Sequence, residues 1–115
     1  MSSAIDWPAG LERTPASERT RNRHFEVTLA KAVEDLEAEL RRLDVDDWRA
    51  SFGNTHSKTN GMPLQNANPD DPGFALYWTD DGDDYAVACD ASPQLRDNVR
   101  HVQKWLRETR LRADR

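Results

Sequence analysis

Four cations near the C-terminus are the side chains of this 115-residue chain that are best placed for binding chemistry. They follow one another at steps of four, four and three residues, so on a helix they share one face: Arg96, Arg100, Lys104 and Arg107. We call them the basic row. Such a row can contact phosphates or the carboxylates of a protein partner. The same row also fits a helix face that is merely solvated, since charged side chains keep a helix soluble. Cations near a helix C-terminus in addition interact favourably with the helix dipole.

A second candidate lies in the stretch from Gly53 to Pro72, which is rich in Gly, Asn, Pro and Asp and contains His56 and Lys58. A loop this long is uncommon inside a small domain and is usually functional or disordered. Two interpretations remain open, a flexible connection between strands and a binding loop. In the second, His56 and Lys58 contact the same partner as the basic row.

Patterns for catalysis and metal binding are weak. The histidines, His24, His56 and His101, lack ligand spacing, and Cys89 is the single cysteine. The acidic run at 80–84 lacks the twelve-residue spacing of a calcium loop. No serine lies in a nucleophile elbow and no Gly-rich loop precedes a helix. We therefore expect a non-enzymatic protein without metal or cofactor, although a catalytic site assembled only by the fold would leave no motif.

The net charge of −5 is unevenly distributed along the chain. Residues 44–90 carry a net charge of −8, whereas residues 91–115 carry +4. No apolar run is long enough to span a membrane, and the N-terminus has neither the basic nor the apolar region of a signal peptide. These features predict a cytoplasmic protein with no membrane partner.

The elements that position these residues include a β-hairpin with its turn at Asp81-Gly82. Side chains alternate on both sides of this turn, and a two-residue turn aligns the bulky ones on one face. The predicted pairs are Trp78 with Tyr85, Leu76 with Val87, and Phe74 with Cys89. The opposite face carries smaller and more polar side chains. Since turn chemistry and hydrophobic pattern agree, one register is predicted.

Two helices flank the predicted strands. Thr28 can cap the first helix, in which apolar residues recur at steps of four and three from Leu29 to Leu43. Ser92-Pro93 predicts the start of the second helix, with Ser92 as the N-cap. Its core-facing residues lie beside the basic row: Leu95, Val99, Val102 and Leu106, with Trp105 as a further candidate. We expect Leu36, Leu40, Trp78, Val99 and Val102 to be buried together.

With a third strand at Trp48–Phe52, the element order is α-β-β-β-α. This order predicts an α+β fold in which a three-stranded antiparallel sheet has two helices packed on one face. Residues 25–115 would form this domain. Residues 1–24 would form an N-terminal arm. This arm is either mobile except for an anchor at Trp7, or it contacts an anionic partner.

The same element order occurs in double-stranded-RNA-binding domains, which span successive minor grooves largely by shape. The basic row and the segment with His56 and Lys58 would be the matching parts. Against this alternative, the net charge is negative, whereas nucleic-acid-binding domains are usually strongly basic. Nucleic acid is therefore the second candidate partner.

A set of short motifs resembles the N-terminal portion of J-domain-containing (DnaJ-like) proteins of halophilic archaea and their viruses. The motifs, in chain order, are Trp7-Pro8, Glu12-Arg13-Thr14, Asp44-Val-Asp-Asp47, Pro69-Asp-Asp-Pro-Gly73, Tyr77-Trp78-Thr79, Asp84-Tyr-Ala86, Cys89-Asp90 and Leu95-Arg-Asp-Asn98. The likeness covers residues 7 to about 112.

The resemblance implies a chaperone-associated adaptor domain that binds a protein partner and works beside a J domain. The His-Pro-Asp signature of a J domain does not occur in this sequence. The stimulation of a heat-shock chaperone by that signature is therefore assigned to no residue here. The leading hypothesis is a non-enzymatic domain for protein–protein interaction.

Overall fold

The computed structural model describes residues 5–21, 27–45, 47–53, 62–64, 67, 69, 71–80 and 82–113. Its helices and strands occur in the predicted order. They are α1 (Leu29–Arg42), β1 (Trp48–Phe52), β2 (Phe74–Asp80), β3 (Asp83–Cys89) and α2 (Leu95–Ala113), with a short 3-10 turn at Ala16–Glu18. The strands form one antiparallel sheet in the order β1-β2-β3. The predicted α+β class is confirmed.

The hairpin has the predicted register. Trp78 pairs with Tyr85, and the ladder continues without a break from the pair Asp80–Asp83 at the turn to the pair Phe74–Cys89. Asp81 lies outside the described residues. Gly82 has a φ of +83°, in the left-handed region that glycine occupies without steric cost. The Asp-Gly dipeptide thus accounts for the two-residue connection.

Helix α1 has a cap at each end, and the sequence predicts the first of them. The Thr28 hydroxyl accepts a hydrogen bond from the backbone N–H of Lys31 at 3.1 Å, so Thr28 is the predicted cap. At the other end, Asp44 has a φ of +59°. Its N–H donates to the Arg41 carbonyl, and the N–H of Val45 donates to the Leu40 carbonyl. These two bonds form a Schellman motif with aspartate at the position usually held by glycine.

Helix α2 begins at Leu95, two residues later than predicted. Ser92 does accept the backbone N–H of Gln94 at 3.1 Å, but its hydroxyl also donates to the Asp97 carboxylate at 2.7 Å. These contacts hold a turn in front of the helix. Leu95, Val99, Val102 and Leu106 are buried as predicted, whereas Trp105, the further candidate for the core, is 45% exposed.

The core lies between the helices and the face of the sheet that carries Phe74 and Leu76. Four of the five residues predicted to be buried together are almost fully inaccessible: Leu36, Leu40, Val99 and Val102. Trp78 differs, since it is only partly buried at the edge of this core. It lies close to the hairpin turn, where the cover given by the helices ends. The long connection supplies an unpredicted core residue, Met62, which is fully buried.

The opposite face of the sheet is partly covered by the N-terminal arm, while Arg49 and Ala86 on this face stay exposed. The backbone N–H of Asp6 donates to the Ser51 hydroxyl at 2.8 Å, and its carbonyl accepts a hydrogen bond from the Tyr77 hydroxyl. Arg49 pairs with the Asp6 carboxylate at 2.8 Å. Ala75, on this face, has no exposed surface. The described part of the arm therefore makes contacts well beyond the anchoring tryptophan.

The turn can be tested by replacing Gly82. A Cβ at this position would meet no atom within 4 Å, so the cost of Gly82→Ala is that of the left-handed backbone alone. We expect a loss of about 1–2 kcal/mol in the free energy of unfolding, measured by urea denaturation. Gly82→Asn should cost less, because asparagine tolerates this conformation. Equal losses in both variants would contradict this account.

The core can be tested at Leu40, which is 1% exposed. Leu40→Ala should lower the free energy of unfolding by about 2–5 kcal/mol, since it removes buried methyl groups and leaves a cavity. The matched control is Leu111→Ala on the exposed side of α2, with an expected change within about 0.5 kcal/mol. An unchanged denaturation midpoint for Leu40→Ala would mean that the α1 stripe does not hold the domain together.

Candidate interaction surface

The basic row is divided by the packing of the two helices. Arg100 is partly buried, and its guanidinium lies 3.0 Å from the Asp35 carboxylate of α1 while also donating to Gln103 at 2.9 Å. Burial alone would raise the pKa of Asp35, but hydrogen bonds from Lys31 and Arg100 outweigh it and the pKa lies below its usual value. Arg100 thus joins α2 to α1.

The other members of the basic row differ in exposure. Arg96 is half-buried beside a cleft of about 410 Å³ where both helices begin. Lys104 and Arg107 are exposed. A further cation of the same helix, Arg110, lies 3.0 Å from the Glu39 carboxylate of α1, which is almost fully buried. Helical spacing therefore identified a face of α2, and part of that face serves the contact between helices.

His56 and Lys58 lie outside the described residues. Several described residues of the same connection pack inwards. Met62 and Pro63 are fully buried, and Gly53 is so close to Pro69 that a Cβ on Gly53 would lie 2.5 Å from the proline Cβ. These parts of the long connection therefore contribute to the core.

The arm is held by ion pairs with two carboxylates at the end of the sheet opposite the hairpin turn. Arg13 lies 2.7 Å from Asp90 and 2.6 Å from Asp71, and Arg19 approaches Asp90 at 3.5 Å. Asp90 also accepts the backbone N–H of Thr14 at 2.9 Å. Burial would raise the pKa of Asp90, but the contacts with Arg13 and Thr14 prevail and lower it. Arg13, Asp71 and Asp90 are called the clasp below.

A buried polar cluster joins the arm to the start of α2. Arg21 lies 2.8 Å from the Asp97 carboxylate, which has no exposed surface. The neighbouring Asn98 amide is also fully buried and binds the backbone of Ser92. The Cys89 thiol lies 3.4 Å from this amide, and burial raises its pKa. Cys89 is therefore a protonated, packed thiol at neutral pH and not an activated nucleophile.

Three aromatic rings form a cluster near the hairpin turn. Trp78 and Tyr85 stack with their ring centroids 5.5 Å apart, and Trp105 of α2 lies 6.5 Å from Trp78. Tyr85 is 44% exposed and Trp105 is 45% exposed. Trp48 pairs with Trp78 on the other side, and a cleft of about 360 Å³ is lined in part by these strand residues. The sequence predicted the stacked pair but assigned it to the core.

Exposed carboxylates lie at the same end of the sheet. Asp80, Asp83 and Asp84 flank the turn. Thr79 donates to Asp84 at 3.0 Å, but in the described part of the chain no cation pairs with any of the three. Negative charge therefore accumulates beside the exposed rings.

Strand β3 is an edge of the described sheet, since β2 is its one neighbour among the described strands. The two-residue connection makes Asp80 and Asp83 a hydrogen-bonded pair, so alternate residues of β3 direct their backbone groups away from β2. These residues are Asp84, Ala86 and Ala88. Thr79, the partner of Asp84 in the ladder, likewise directs its N–H away from β3, since this N–H donates to the Asp47 carbonyl beside β1. We call this edge, together with the aromatic cluster and the three carboxylates, the β3 surface.

No group of three or more histidine, cysteine, aspartate or glutamate side chains among the described residues is arranged to hold a metal ion. None of their helices is long and apolar enough to cross a membrane.

The clasp can be tested through pH. Asp90 has a lower pKa in the folded chain than its ordinary value of 3.8, so its charge stabilises the fold above about pH 4 and this contribution is lost as the pH falls through the folded value. Asp90→Asn should cost about 1–3 kcal/mol at pH 7. It should also flatten the decline in stability below pH 4, measured by denaturant titration across pH 2–7. A parallel pH profile for both proteins would mean that the clasp does not stabilise through charge.

Comparison of the chain with protein-family models, with curated proteins and with solved structures found no match. The resemblance to J-domain-containing proteins therefore stays a prediction, and function is inferred from the surfaces of the molecule.

Proposed function

We propose that this chain is a non-enzymatic interaction domain that binds a protein partner through the β3 surface. The observation that carries the proposal is the aromatic cluster, in which Tyr85 and Trp105 are each exposed over more than two-fifths of their surface while contacting Trp78. Single exposed apolar residues are ordinary, but a contiguous group rimmed by polar residues is typical of interaction sites. Tyrosine and tryptophan are also the residues that most often dominate binding energy.

The basic row gives less support to nucleic acid as the partner. Arg100 contacts Asp35 and Gln103, so its phosphate-binding capacity is reduced unless the helices separate. Lys104 and Arg107 remain exposed. The carboxylates of the β3 surface would repel a phosphate backbone, and the net charge of −5 acts in the same direction.

The resemblance to the accessory region of J-domain-containing proteins agrees with this role. It implies a cytoplasmic adaptor of a haloarchaeal or viral system that binds a protein partner and works beside a J domain. One of the motifs that carry the resemblance, Asp84-Tyr-Ala86, lies on β3. Tyr85 in this motif belongs to the aromatic cluster, so the proposed contact includes a residue that carries the resemblance.

Site-specific photocrosslinking tests the proposal. p-Benzoylphenylalanine would replace Trp105 in the purified chain, which is then irradiated in extract from the source cells. We expect protein adducts that resist nuclease and that decrease when Tyr85→Ser is introduced into the same chain. The matched control carries the photoreactive group at Leu11, which is equally exposed on the arm.

The alternative partner is tested in parallel by titrating duplex RNA and DNA at low and high salt. Lys104→Gln with Arg107→Gln is the suitable variant, because it leaves the contact between Arg100 and Asp35 intact. Steeply salt-dependent binding that this variant abolishes would favour nucleic acid. Such a result, together with equal adducts at positions 105 and 11, would overturn the proposed function.

A further inference from the structure

From Tyr85 to Cys89, strand β3 lacks the residues that usually protect a sheet edge. Edge strands are protected by charged side chains, especially lysine, by proline, by bulges or by covering segments. Asp83 and Asp84 place charge at the start of β3, but the stretch Tyr85-Ala-Val-Ala-Cys89 contains neither a charged residue nor proline, and its ladder with β2 has no bulge. In the described part of the chain, no backbone group is bonded to its outer side. This edge can therefore accept another strand.

We propose that β3 binds an extended segment of the partner protein as a fourth strand, and that this segment is basic with apolar side chains at alternate positions. The inference rests on the proposed function, because it names the kind of partner that the β3 surface receives. Strand addition supplies affinity through main-chain hydrogen bonds and specificity through alternate side chains.

The geometry of β3 fits such an addition. Asp84, Ala86 and Ala88 present outward-facing N–H and C=O groups at every second residue. The side chains of Ala86 and Ala88 are too small to obstruct an approaching backbone. On the other face, Tyr85 would stand beside a side chain of the added strand, where pairs of aromatic and aliphatic residues stabilise a sheet. The exposed Trp105 would extend this apolar contact.

Charge determines the chemistry of the segment. Asp80, Asp83 and Asp84 are exposed and lack cationic partners among the described residues, so lysine or arginine of the added strand would complete ion pairs near the turn. A second copy of this chain fits less well. In a two-fold pairing of β3 with itself, centred on Ala86, Asp84 would face Ala88 and gain no cation.

Peptide binding followed by NMR is the test. The probe is a ten-residue peptide of alternating valine and lysine, added to the isotopically labelled chain. We expect slower hydrogen exchange at the amides of Asp84, Ala86 and Ala88, with little change in β1. A matched peptide with glutamate in place of lysine should bind at least about tenfold more weakly.

Backbone methylation separates strand addition from simple charge attraction. Successive N–H groups of a strand point to opposite edges. A peptide methylated on every valine nitrogen therefore blocks one edge of the probe, and a peptide methylated on every lysine nitrogen blocks the other. One of these peptides should lose binding and the other should retain it. On the protein side, Ala86→Pro should preserve the hairpin, since proline is tolerated on the outer side of an edge strand, but abolish the protection.

Three results would overturn the inference. The first is that the peptide does not protect these amides. The second is that the protection is the same with both methylated peptides. The third is that the protection appears without peptide as the protein concentration rises. The last would identify a second copy as the occupant. If the photoreactive group at position 105 still crosslinks to a protein while the peptide gives no protection, the proposed function stands and strand addition alone fails.

Discussion

The buried amide of Asn98 is the contact on which the arrangement of the other elements depends. Its nitrogen donates to the Pro72 carbonyl at 2.7 Å and to the Ser92 carbonyl at 3.0 Å, and its oxygen accepts the Ser92 N–H at 3.0 Å. One side chain thus fixes the end of the long connection and the turn before α2. Backbone groups buried at this position would each cost about 1–3 kcal/mol if left unpaired, so the amide makes this junction possible.

The position of Pro72 determines where the clasp can form. Asp71 precedes it and meets Arg13, which also reaches Asp90 after the end of β3. The arm is consequently drawn over the face of the sheet that the helices leave open. Part of the negative charge of residues 44–90 is neutralised in this way. Asp80, Asp83 and Asp84, which have no cationic partner among the described residues, lie at the opposite end, beside the turn of the hairpin.

The parts of the fold that the sequence predicts are those with local causes. Alternation and an Asp-Gly turn specify the hairpin register, and the helical stripes follow from their spacing. The clasp joins residues more than fifty positions apart, for which no periodic signal exists. The left-handed backbone of Asp44 has no signal in the sequence, because aspartate rarely holds this position. Alternation predicts Trp78 in the core because it specifies a face of the sheet, but not how far the helices extend along it.

Many of the motifs that carry the resemblance have a structural explanation. Trp7 stacks with the Arg13 guanidinium at 4.4 Å, and a Cβ on Gly73 would lie 3.2 Å from the Trp7 ring, so a larger residue would have to displace the ring by a few tenths of an ångström. Asp90 and Asn98 complete the clasp and the junction before α2. These residues are explained by the packing of this fold, so the resemblance that they carry says little about partners.

The same reasoning distinguishes the two surfaces that could bind a partner. The basic row is regular in sequence, but Arg100 within it already stabilises the contact between the helices. The β3 surface is irregular in sequence, because its parts come from the hairpin and from Trp105 of α2. Its rings, carboxylates and backbone edge have few or no partners among the described residues. Groups that folding leaves unpaired are the ones available for binding, which makes the β3 surface the stronger candidate.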